Sequence, residues 1–250
     1  MTGHPHLIQI PRYDSLTGHD RTKAAGNGSG DADDSLQPAI IWGARGHAKV
    51  LNEFLPQLGY QVVAVFDNDP QATSPIAGVP VFHGAAGLDV WLNSHRETQI
   101  TGLVAIGGQH GGARGEVLSL LRSRGVRVPA VAHPTAFVAR DAQIADGCQI
   151  LATAAVCTEV RIGEGSIVNT GASIDHECVV GAGVHVAPGA TIAGCVKIGD
   201  RAFIGAGAVV LPWLAIGSDV VIGAGSVVTK DVPDGVVAYG NPAQVVRRAA

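Results

Sequence analysis

Ile or Val recurs every six residues from Val138 onward, at 138, 144, 150, 156, 162, 168, 174, 180, 186, 192, 198, 204, 210, 216, 222 and 228. Sixteen consecutive hexads keep phase, ending at Pro233. A helical period of 3.6 drifts out of such a frame, whereas strand side chains alternate faces and return to the same side after six residues. The second residue of a hexad is often Gly and the fifth is small, as in IGEGSI (162–167), VGAGVH (180–185), IGAGAV (204–209) and IGAGSV (222–227). The pattern predicts short strands joined by turns. The fifth residue reads as a second, cramped interior position and the glycines as turn residues. Coils of this kind bury a stacked aliphatic column in a parallel β-helix.

Upstream the pattern changes. AIIWG (39–43) reads as a strand, ARGHAKVLNEFLPQLG as a helix stopped by Gly59, and QVVAVFDND (61–69) as a second strand. ITGLVAIGG (100–108) is a further strand, and ARGEVLSLLRSRG (113–125) a helix closed by Gly125. Alternating strands and helices predict a small Rossmann-like α/β domain over 38–130, followed by the β-helix over 131–250. Residues 1–37, with AAGNGSGDADDS and little aliphatic periodicity, are expected to be a disordered tail. Its His4, His6 and His19 are too scattered for a metal site.

The chain is 46% hydrophobic but only 4% aromatic, so its core must come mainly from Ile, Val, Leu and Ala. A net charge of -4, with no Lys/Arg run longer than two, argues against a nucleic-acid partner. No apolar stretch is long enough to span a bilayer and no secretory signal is visible, so the expected location is cytoplasmic with no membrane partner. Cys148, Cys157, Cys178 and Cys195 form no CxxC pair, and a packing role is favoured over metal or disulfide chemistry.

Candidate chemistry falls in two places. Gly43-Ala44-Arg45-Gly46-His47 joins the first strand to the first helix, where glycines and a helix N-terminus suit a phosphate; a tight turn explains it equally well, since the full GxGxxG is missing. Asp67-Asn68-Asp69 and Gly107-Gly108-Gln109-His110 end two other strands on the same edge. Within the repeat, IDHECV (174–179) puts Asp175, His176 and Glu177 where Gly or Ala is usual. A histidine beside a carboxylate is held in one tautomer and made more basic, which suits a general base. His185 is the other histidine inside the hexads. Cys178, near His176, competes as a nucleophile, but its hexad position predicts a buried thiol. Asn169 can orient a substrate or the histidine, or simply form a turn. Trp213 occupies a position where small turn residues are frequent.

With these residues in view, the chain resembles the hexapeptide-repeat sugar acetyltransferases. The similar branch has two domains and includes bacterial UDP-4-amino-sugar N-acetyltransferases and sialic-acid O-acetyltransferase-like proteins. The matching stretches include IIWGARGHAKVL, VFDND, VAIGG, AHPTAFV, IVNTGASIDHECVVGAGVHVAPGATIAG, IGAGAVVLP and IGAGSVVTKDVPDGVVAYGNPAQVV, covering about 38 to 247. The resemblance implies a left-handed β-helix, a homotrimer, acetyl-CoA as co-substrate with no metal, and a nucleotide-linked amino sugar bound by the N-terminal domain. It implies that His176 takes a proton from the sugar amine with Glu177 supporting it, and that the Gly194 amide can face the developing oxyanion. His185, Gly194, Ala206 and Ala224 match acetyl-CoA-contacting positions. Gly43, Arg45, Gly46, His47, Asp67, Asn68 and Gly107 match the nucleotide-sugar region. Two departures stand out: Arg45 replaces a glycine of GxGGHAK, and Trp213 replaces the glycine of LPG. O-acetylation of a sialic acid or other sugar hydroxyl is the alternative activity, and a non-catalytic sugar-nucleotide-binding scaffold the alternative class.

Overall fold

The computed structural model describes residues 36–96 and 98–249. The expected tail, apart from Leu36 and Gln37, and its three histidines lie outside the described residues.

The first unit is a four-stranded parallel sheet of β1 (Gln37–Trp42), β2 (Tyr60–Asp67), β3 (Val81–His83) and β4 (Thr101–Val104), in the order β3-β2-β1-β4. Its helices are α1 (Gly46–Phe54), α2 (Gly84–Asn93) and α3 (Gly111–Ser123). Strand alternation divides the core in two. Ala39 and Ile41 of β1 pack with Leu51 and Phe54 of α1, while Ile40 and Trp42 pack with Leu88 of α2 and Leu118 of α3. The first of these clusters continues into the repeat through Val131, Leu151 and Ile167. Burial of each such side chain is worth about 1.5–3 kcal/mol, so the seam is a cohesive one.

Three local expectations change. The second strand ends at Asp67 rather than Asp69, and the strand expected over 100–108 covers only Thr101–Val104. The first stops where its apolar run ends, with Asp67 opposite His83 of β3, and the other stops at Val104, its last residue with a β1 partner; both continue as loops. The segment holding β3 and α2 also forms elements that the sequence reading did not assign. Gly59 does end the first helical segment, in the left-handed conformation (φ 82°), after a 3-10 turn over Leu55–Leu58.

Each of the sixteen frame positions closes a two-residue strand, from Phe137–Val138 to Val227–Val228. Partners lie eighteen residues apart: Ile162 pairs with both Ile144 and Val180. Three hexads therefore make one coil of a left-handed parallel β-helix with three flat faces. Following the chain, face 1 holds strands such as Val179–Val180, face 2 His185–Val186 and face 3 Thr191–Ile192. Frame residues fill the interior together with the fifth positions, among them Cys148, Ala172, Cys178 and Val184, all at 0% exposure.

The glycines lie in the turns, as expected, but in two different roles. The left-handed residue is the fourth of the hexad, not the second, whether it is Gly165 (φ 65°), Glu177 (φ 59°), Cys195 (φ 63°) or Trp213 (φ 67°). Second-position glycines serve stacking instead: a Cβ on Gly163 would stand 2.6 Å from Ala182 N of the next coil, and one on Gly205 2.5 Å from Ala224 N. The four-residue turns repeat at the same height on every coil, so each corner is a column of residues eighteen apart.

The α/β unit sits on face 2 and on the corner between faces 1 and 2. Arg114 of α3, 1% exposed, is the pin: its guanidinium donates to Gly165 O (2.9 Å), Ile106 O (3.0 Å), Gly183 O (2.5 Å) and Val184 O (3.3 Å). Burial lowers its pKa to about 10, which leaves it charged at neutral pH.

Candidate active site

At the carboxyl edge of the sheet, the loops after β1 and β2 meet, and Ala105 at the end of β4 packs against the first of them. Gly43 N–H donates to Phe66 O (2.7 Å) and Ala44 N–H to Asp67 Oδ2 (2.7 Å), while Asp67 Oδ1 accepts from Asp69 N–H (2.9 Å). Asp67 thus ties the loop after β1 to the end of β2. Gly43 has φ 114°, and a Cβ on it would stand 2.6 Å from Ala105 O, so the loop after β4 presses directly on it. Arg45 and Asn68 are exposed beside them; Arg45 lies 3.7 Å from Asp69 Oδ2 with its side chain 83% exposed. Gly46, also exposed, opens α1.

His47 turns away from that rim toward the β-helix. Its Nε2–H donates to Gln149 Oε1 (2.6 Å), and Gln149 Nε2 donates to Val104 O (2.8 Å). On the next coil but one, His185 is 5% exposed; its Nε2 accepts from Asn169 Nδ2 (3.0 Å) and its Nδ1–H donates to Gly108 O (3.3 Å). Both ring nitrogens are satisfied in the neutral form. Burial, reinforced by the Arg114 charge and by His47, lowers the His185 pKa to about 4. Burial also lowers that of His47. Gly107 completes this group, with its Cβ position 3.7 Å from His185 Cε1. Two neutral imidazoles, an amide and a glycine loop therefore meet where the α/β unit rests on face 2.

His176 lies elsewhere, on the corner between faces 3 and 1, opposite face 2. Its Nδ1–H donates to Glu177 Oε2 (3.0 Å), and its backbone N–H to Asp175 Oδ1 (2.8 Å). The side chains of His176 and Glu177 are 48% and 56% exposed, open to a ligand. With the proton on Nδ1, the Nε2 lone pair is free to accept one. That nitrogen stands over Gly194, eighteen residues on, where a Cβ would be only 2.5 Å away. Gly194 N–H donates to no backbone carbonyl among the described residues.

The remaining expected positions are spread out. Ala206 and Ala224 are exposed and stacked on the corner between faces 2 and 3, joined by the bond from Gly225 N–H to Ala206 O (2.8 Å). His185, Gly194 and the Ala206–Ala224 pair thus occupy three different sides of one chain. Cys178 is buried with its thiol on Ala193 O (3.1 Å), and burial pushes its pKa up to about 11, which disfavours it as a nucleophile. All four cysteines are free.

Arg114 and Gln149 were not singled out by the sequence. Gln149 carries a signal in retrospect: it shares with His185 the sixth hexad position of face 2, where Val131, Ile167, Phe203 and Val221 are otherwise apolar. Arg114, in a helix with other arginines, carries none.

Among known proteins, the PglD N-terminal domain family matches residues 39–110, and the bacterial transferase hexapeptide family (six repeats) matches 177–212 and 195–230. The hexapeptide repeat of succinyl-transferase matches 158–188. The acetyltransferase domain of PglB from Neisseria gonorrhoeae, solved with acetyl coenzyme A, is 33% identical, covering 84% of this chain and 100% of its own, with a TM-score of 0.75. PerB from Caulobacter crescentus, solved with CoA and GDP-perosamine, is 37% identical over 84% of this chain and 97% of its own, at a TM-score of 0.75. WeeI from Acinetobacter baumannii is 28% identical over 84% and 100%, at 0.73. A comparison with curated protein sequences gives no match. Fold, paired domains and identity over most of its length together place this chain in the family of two-domain hexapeptide-repeat sugar acetyltransferases.

Proposed function

We propose that the protein transfers the acetyl group of acetyl-CoA to the amine of a nucleotide-linked amino sugar, with His176 as general base. The carrying observation is the His176–Glu177 pair over Gly194. Glu177 fixes the proton on Nδ1 and stabilises the imidazolium that forms; Nε2 takes the amine proton as nitrogen attacks the thioester carbon. The new oxyanion needs an N–H donor, and the Gly194 amide on the adjacent coil suits that role. Collapse of the tetrahedral intermediate releases the CoA thiolate, which takes up a proton. PglB and PerB, solved with acetyl-CoA and with CoA plus GDP-perosamine, support the choice of both substrates.

The nucleotide would lie along the Gly43, Arg45, Gly46, Asp67 and Asn68 rim, with His47, Gly107, Asn169 and His185 beneath it. Because His176 stands on the corner opposite face 2, the sugar held by one chain meets the base of a neighbouring chain, and a homotrimer provides that neighbour. Ala206 and Ala224 on one corner, and Gly194 on another, then contribute to coenzyme clefts between chains.

Acetyl transfer should be assayed with UDP- and GDP-linked amino sugars, beside sialic acid as a hydroxyl acceptor, with the mass of the particle measured in solution. Transfer to an amine by a species of three chains is expected. Acetylation of the hydroxyl acceptor alone, or undiminished N-acetylation by His176→Ala, would overturn the reading.

A further inference from the structure

Glu177 and Cys195 occupy equivalent fourth positions on successive coils of the same corner, both left-handed, so their side chains leave the backbone in parallel. Cys195 Sγ lies 3.6 Å from Glu177 Oε2, which is also 3.0 Å from His176 Nδ1; one ligand atom from each of the three residues falls within 4.8 Å of the others. Tetrahedral zinc, with bonds of about 2.0–2.3 Å, has ligand-to-ligand edges of about 3.3–3.7 Å. The Glu177–Cys195 edge falls inside that range and the His176–Glu177 edge a few tenths of an ångström below it, so small side-chain rotations close the set on one ion. The backbone underneath is stiff: Cys195 N–H donates to His176 O (2.9 Å) and Trp213 N–H to Gly194 O (3.1 Å). Asp175 adds a further carboxylate charge close to Cys195.

We propose that His176, Glu177 and Cys195 form a site for a thiophilic divalent cation such as Zn2+, and that an ion bound there switches the acetyltransferase off. Nitrogen, carboxylate oxygen and thiolate are the donor set zinc takes, with a fourth position left to water. Binding releases the Cys195 thiol proton to solvent, and the single proton of the neutral His176 ring exchanges from Nδ1 to Nε2 as the metal takes Nδ1. No lone pair remains to accept a proton from an amine. The ion is an inhibitor here, because the ring that it holds can no longer take the amine proton. The inhibitory consequence rests on His176 being the base; binding of the ion does not.

The full chain should be titrated with Cd2+, followed by the ultraviolet absorption of the cadmium–thiolate bond, and with Zn2+ in the transfer assay. The expected result is one cadmium–thiolate per chain that disappears in Cys195→Ala, together with a zinc sensitivity weakened at least about tenfold in that variant. Metal-free activity of Cys195→Ala should stay close to wild type. Cys195→Gly, suited to the left-handed turn, serves as the second variant where alanine disturbs folding. Absence of the band in the wild type, its persistence in both variants, or equal zinc inhibition of variants and wild type would overturn the proposal. A normal band on a chain inactive toward every acceptor would support the metal site and count against the base assignment alone.

Discussion

The imidazole of His176 stands directly over Gly194, in the same corner column one coil away, and closes off the space that any side chain at 194 would need. Gly194 is the one glycine found at the third hexad position among the sixteen hexads. Gly194→Ala is therefore expected to swing the ring off its bond with Glu177. Transfer should fall by at least about tenfold, with an unchanged far-ultraviolet circular dichroism spectrum. An active Gly194→Ala enzyme would show that the ring has another working position.

Loss of the base itself should cost more. His176→Ala is expected to lower kcat by about 10²–10⁴, the usual worth of a positioned general base. Its stability should barely change, because the side chain is half exposed. Glu177→Gln keeps an acceptor for Nδ1–H but removes the charge, so its kcat should fall between wild type and His176→Ala. Steady-state kinetics at saturating acetyl-CoA would check the order of the three.

Arg114 is expected to be the costliest residue to replace in the seam between the α/β unit and the β-helix. Arg114→Leu leaves the carbonyls of Ile106, Gly165, Gly183 and Val184 without that donor. Unsatisfied buried carbonyls cost about 1–3 kcal/mol each, so a loss on the order of 3 kcal/mol or more should appear in urea unfolding. A change below about 0.5 kcal/mol would mean that water replaces the guanidinium there.

Stability should depend on pH through His185. Its folded pKa of about 4 lies below the unfolded value of 6.5, so the unfolded chain takes up a proton first as pH falls. Stability is full above about 6.5 and is lost progressively down to about 4, by about 3 kcal/mol in all. His47, lowered in the same direction, adds to the loss. The groups facing His185 are Asn169, the Gly108 carbonyl, Phe203, Arg114 and His47. His185→Gln should flatten the dependence between denaturation curves taken at pH 7 and pH 4.5; an equally steep dependence would assign the effect to His47 or to carboxylates.

The repeat was legible in the sequence because its frame is a purely local constraint, and the buried layer at 144, 150 and 156 follows from it residue by residue. The role of its glycines was not. Second-position glycines are demanded by the backbone of the next coil, a neighbour eighteen residues away that appears only once three hexads are closed into one turn. The polar triplet around His176 stood out against that background, while the fit of its ring over Gly194 required the same three-dimensional count. Elements β3 and α2 escaped notice because Val81–His83 is too short to show alternation and GAAGLDVWLN carries two glycines. Arg114 was invisible for a different reason: its burial comes from docking onto face 2, and a charged residue on a helix ordinarily faces water.

The eighteen-residue coil also limits how such a chain can change in length. Adding or removing a whole coil above or below the site returns every later residue to its own face and corner. A gain of six moves all that follows by one face, which carries a corner such as that of His176 round to where another belonged. A gain of one puts the aliphatic column outside. The β-helix is in this sense read like a code with a fixed frame, in which insertions between coils are silent only in multiples of eighteen, and the distance between a base and the chain beneath it is preserved by counting alone.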